Sequence, residues 1–153
     1  MKAVMTRAMI LVAALIVLVA VNGSILAKER IKTHGQRIYL ELGSVDPRSL
    51  MQGDYLALHF RITDSMSADA SGSAALRVDA RGIATLDPQP TRQSPRIRFR
   101  VRNSAVWLGT NAYFFEEGSA ERYADAKYGE FRLDRDSGDA VLVGLSDENL
   151  RAL

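Results

Sequence analysis

The chain has 153 residues, a formal net charge of +2 and no cysteine. Without thiols it has no disulfide bonds and no Cys-ligated zinc or iron–sulfur site. So small a net charge gives no ground for nucleic-acid binding.

The first element is an uncharged run from Ala8 to Ala27. As a helix rising about 1.5 Å per residue it covers roughly 30 Å, the thickness of a bilayer's hydrocarbon core. The run predicts a single transmembrane helix that meets the lipid bilayer through residues 8–27. Lys2 and Arg7 precede it, and Lys28, Arg30 and Lys32 follow, offset by Glu29. The positive-inside bias is therefore weak. A cleaved signal peptide needs small residues at the first and third positions before the cut, and its apolar core is about 7–15 residues long. Ile25 is too large for a cut after Ala27, a cut after Ser24 is tolerable but poor, and the run is longer than such a core. An uncleaved anchor is the better reading. Residues 1–30 then form a cytoplasmic tip and anchor, and residues 31–153 one extracytoplasmic domain of ordinary size.

Gln36 to Leu42 alternates, with Ile38, Leu40 and Leu42 on one face and Arg37, Tyr39 and Glu41 on the other. Tyr55 to Ile62 repeats the pattern, with Leu56, Leu58, Phe60 and Ile62 inward and Tyr55, Ala57, His59 and Arg61 outward. A two-residue period predicts half-buried antiparallel strands. Ser65 to Ser73 is rich in Ser, Ala and Asp and reads as a mobile loop. Ala74–Val78 and Ile83–Leu86 flank Asp79-Ala80-Arg81-Gly82, which predicts a hairpin with glycine in the turn. Arg96 to Arg102 reads as a strand with Ile97, Phe99 and Val101 inward. Ser119 is placed to cap a short helix through Ala126. Gly129–Asp134 and Ala140–Leu145 predict a second hairpin around residues 135–139. The expected fold is mainly β: one antiparallel domain, sandwich or partly open barrel, with one short helix.

Between the first two strands lies Asp46-Pro47-Arg48-Ser49, a good turn sequence, because Asp accepts from following amides and Pro fixes its own φ. Gly53 permits backbone conformations closed to other residues, and Asp54 can accept from turn amides before the strand starts. On the residues alone this is a fold-defining corner, with a ligand or partner site as the alternative.

The string Gly53-Asp54-Tyr55-x-x-Leu58-x-Phe60 resembles the signature of the GDYXXLXY family of bacterial membrane-anchored proteins. Phe60 stands where that family usually has a final tyrosine, which keeps the ring and loses the hydroxyl. The resemblance extends to residues 45–50 upstream and to residues 112–118, 121–123, 128–134 and 141–145 downstream. It implies no established activity. It implies a small anchored protein in the company of multi-span membrane proteins, and so a membrane-protein partner. The motif residues Asp46, Pro47, Arg48, Gly53, Asp54, Tyr55, Leu58 and Phe60 are the candidate contacts.

Chemistry is sparse. A Gly-Asp before a strand in an anchored β protein is also similar to the serine–lysine signal peptidases, which need a serine beside a lysine that acts as its base. Ser44 and Ser49 are available, but Lys28, Lys32 and Lys127 show no matching spacing. His34 and His59 are the only histidines, and they lack a carboxylate cluster of metal-ligand spacing. Glu116, Glu117, Glu121 and Asp125 lack the calcium-loop pattern and read as a solvated surface. No catalytic residue, metal or cofactor is expected.

Arg92, Arg96, Arg98, Arg100 and Arg102 occur with no acidic residue between Asp87 and Glu116, and the last four share one strand face. They suit an anionic docking surface, or they pair across strands with Glu130 and Asp134 or protect a sheet edge. Pairing or edge protection, rather than docking, is the favoured reading. Taken together, the expectation is a non-enzymatic, single-pass protein of the bacterial inner membrane. Its periplasmic β domain would bind a multi-span partner and no nucleic acid. The alternatives are an anchored hydrolase and a domain that docks anionic lipid.

Overall fold

The computed structural model describes residues 2–43, 55–69, 71–116 and 118–153. The apolar run lies in one unbroken helix, α1 (Lys2–His34). Among the described residues it is the one helix long and apolar enough to cross a membrane. Its apolar side chains stand exposed, as suits lipid contact. The helix outlasts the run, and Ile31 near its end is buried where α1 packs on two strands of the domain.

Nine strands follow among the described residues, and every ladder between them is antiparallel. The mainly β expectation holds. β1 (Gln36–Glu41), β8 (Tyr128–Leu133) and β9 (Ala140–Ser146) make a sheet in the order β1-β8-β9. β2 (Tyr55–Ala57) pairs with β7 (Ala112–Phe114). β3 (Gly72–Val78), β4 (Ala84–Leu86), β5 (Arg96–Arg102) and β6 (Ala105–Trp107) form a sheet in the order β4-β3-β5-β6. Both expected hairpins are present. In the β3–β4 turn Gly82 has φ +87, a conformation that L side chains rarely adopt. The Asp79 carboxylate accepts there from the N–H groups of Arg81 and Ile83, at 2.9 and 2.8 Å.

The core joins the sheets through Ile38, Leu40, Leu56, Leu58, Phe60, Leu76, Ile97, Phe131 and Leu133. Phe60 and Phe131 meet edge to face with ring centroids 5.2 Å apart. Burial along β5 follows the expected alternation, with Ile97 fully buried and the arginines exposed.

The structure corrects four readings. Tyr39, expected outward, is buried: its N–H donates to Gly82 O at 2.9 Å and its ring lies against Gly82. The β3–β4 turn covers that side of β1. The strand expected over Tyr55–Ile62 pairs only as far as Ala57, then bridges Leu42 at Phe60 and turns into a 3-10 helix, Arg61–Ser65. The Thr63 hydroxyl and N–H both donate to Phe60 O, which ends the extended run. The helix expected after Ser119 is a 3-10 turn, Ala120–Tyr123. Ser119 donates its hydroxyl back to Glu116 O instead of capping. Lastly, the segment read as a loop over Ser65–Ser73 gives Gly72 and Ser73 to β3.

Candidate functional site

Asp46, Pro47, Arg48, Gly53 and Asp54 lie outside the described residues, as do Ser44 and Ser49. The second half of the motif is described, and its alternation divides its work. Leu58 and Phe60 point into the core and are 5% and 1% exposed. Their role is to hold β2 down. Tyr55 points the other way and is 39% exposed. Directly opposite it on β7 stands Phe114, 75% exposed, with ring centroids 5.9 Å apart and planes tilted by 44°.

Outside α1 these two are the exposed large hydrophobic side chains among the described residues. β7 is positioned by the turn before it, where the Thr110 hydroxyl donates to Ala112 O at 3.0 Å. Just beyond the last ladder pair, Ala57–Ala112, Leu58 N–H donates to Asn111 O at 2.7 Å. Sequence reasoning placed Phe114 within a matching segment but gave it no role. The available signal was the alternation of Tyr113, Phe114 and Phe115: the first and third pack against the core, and the second faces out.

The arginines of β5 are all exposed, but not paired as expected. β5 lies between β3 and β6, whereas β8 belongs to the other sheet, so Glu130 and Asp134 are not cross-strand neighbours. Glu130 pairs with Arg37 at 3.0 Å. Asp134 instead accepts the Ser137 hydroxyl at 2.8 Å and Asp136 N–H at 3.1 Å, closing the β8–β9 turn. These bonds, with the nearby charge of Arg30, hold its carboxyl below the usual range. Arg96 donates to Ser73, Arg98 pairs with Asp139 at 3.3 Å, and Arg102 stacks on Trp107 at 5.9 Å. Arg100 has no carboxylate partner among the described residues.

His59, outward as expected, is held by Asp64 with Nε2 2.9 Å from Oδ1. No local pattern announces this pair, because only the 3-10 turn brings residue 64 back to residue 59. Among the described residues no serine hydroxyl bonds a lysine, and no three His, Asp or Glu stand together as a metal site would require. The arrangement offers an aromatic surface and a basic wall.

A family model, described as GDYXXLXY protein, matches residues 17–145 of this chain. No curated protein and no solved structure matches it. The chain belongs to the GDYXXLXY family.

Proposed function

We propose that this member of the family is a non-enzymatic, single-pass protein of a bacterial inner membrane whose β domain, on the periplasmic side, binds a multi-span membrane protein. The observation that carries the reading is the pair Tyr55 and Phe114. A ring three-quarters exposed is an unfavourable surface in water, and burying apolar area contributes about 25 cal/mol per Å². Exposed aromatic pairs on a rigid ladder make good interface anchors, since few rotamers are lost on binding. The motif strand builds this surface by burying Leu56, Leu58 and Phe60 beneath it. Anchoring by α1 raises the local concentration of a partner in the same membrane.

The test is co-purification of the full chain from native membranes. Wild type should retain a multi-span protein that Phe114→Ser and Tyr55→Ser lose, while all three melt alike. Retention of the same protein by both variants would contradict the assignment.

A further inference from the structure

Lys28 is the first charged residue after the apolar run. It lines a pocket of about 320 Å³ with Arg98, Arg100, Arg102, Trp107 and Asp139. With α1 as the anchor, that placement ties the arginine face to the end of the membrane span. With the run ending at Ala27 and a rise of about 1.5 Å per residue, Lys28 lies at the edge of the hydrocarbon. The headgroup layer, roughly 5–8 Å thick on each side, begins there. Whatever shares a pocket with Lys28 stands at headgroup level.

The residue types suit that level. Trp is favoured at the interface, where its ring is amphipathic, and long cationic side chains reach toward phosphates from the membrane edge. Four cations face one carboxylate in this pocket, and Asp139 is already engaged by Arg98. Lys28, Arg100 and Arg102 have no carboxylate partner among the described residues. Arginines on alternate strand positions stand about 6.8 Å apart, within a Debye length of about 8 Å, so they repel unless an anion lies between them. The wall has the charge, depth and planar donors of a phosphate site.

We infer that the Lys28–Arg100–Arg102–Trp107 wall seats the phosphate groups of anionic phospholipids in the membrane that α1 crosses, and so holds the β domain in one orientation against the bilayer. The inference rests on α1 as an uncleaved anchor and is independent of the Tyr55–Phe114 surface.

Trp107 is the only tryptophan, so its fluorescence reports on this pocket alone. The full chain is reconstituted in vesicles of phosphatidylcholine, or of phosphatidylcholine with phosphatidylglycerol. A lipid spin-labelled near its headgroup serves as the quencher. Trp107 should be quenched more strongly in the anionic vesicles, and high salt should remove the difference. Arg100→Gln should lower the ratio of docked to undocked domain about fivefold, while Arg100→Lys keeps most of it. Equal quenching in the two vesicle types overturns the inference, as does an Arg100→Gln protein that behaves like wild type. A chain that floats with neither vesicle type contradicts the anchor, and this proposal with it.

Discussion

Phe60 occupies the space that any side chain at residue 129 would need. A Cβ built on Gly129 would lie 2.8 Å from Phe60 Cε1 and 3.2 Å from both Leu142 Cδ1 and Phe131 Cε2. The last motif position and the glycine of β8 are therefore one packing unit, and the motif's ring is received by the sheet that follows α1. Gly129→Ala should overpack this contact and cost about 1–3 kcal/mol. Gly129 has no positive φ, so the effect is purely steric. Thermal unfolding followed by near-UV circular dichroism checks it, and a variant that melts like wild type would show that the Phe60 ring can move aside.

Burial was legible in the motif strand where pairing was not. The alternation from Leu56 to Ile62 gives the four buried positions correctly, yet the ladder stops at Ala57. Periodicity reports which side of the chain meets the core. It does not report whether a partner strand lies alongside, which depends on residues more than fifty positions away such as Phe114. The same limit explains the arginines. Their shared face follows from the two-residue period, but their partners follow from strand order, which places β5 beside β3 and β6 and away from Glu130. Tyr39 departs from its local period because a turn from another hairpin covers it, and the pocket joining Lys28 to Arg100 needs α1 folded against the domain. Neither leaves a local pattern.

Acid should loosen the domain through two turn carboxylates. Asp87 is held below the usual carboxylate range first by the Ser94 hydroxyl at 2.7 Å, then by Gln89 N–H and Arg77. Asp134 is held low in the same direction by Ser137 and Asp136 N–H. A folded value below the unfolded one, about 3.9 for Asp, means the stabilisation is present above that pH. It is lost as pH falls through the folded value. Ser94→Ala should therefore be less stable than wild type at pH 6, and the gap should narrow below about pH 4. Melting temperatures across that range check this. A gap that does not change with pH would mean that Asp87 does not respond to Ser94.

Topology has a separate check. Alkaline phosphatase fused after Leu153 needs the oxidising side of the membrane to form its disulfides. The fusion should be active in cells. A silent phosphatase, with a cytoplasmic reporter active at the same junction, would reverse the orientation of α1.

The most direct measurement of partner binding is photocrosslinking from position 114 in intact membranes of the native host. A photoreactive amino acid replaces Phe114, and a second chain carries it at Arg92, an exposed position on the loop between β4 and β5. Mass spectrometry identifies the adducts. The account predicts one multi-span membrane protein crosslinked from position 114 and absent from position 92, with loss of the adduct when Tyr55→Ser is added. Adducts confined to lipid, or the same proteins captured from both positions, would contradict a partner surface at Tyr55 and Phe114.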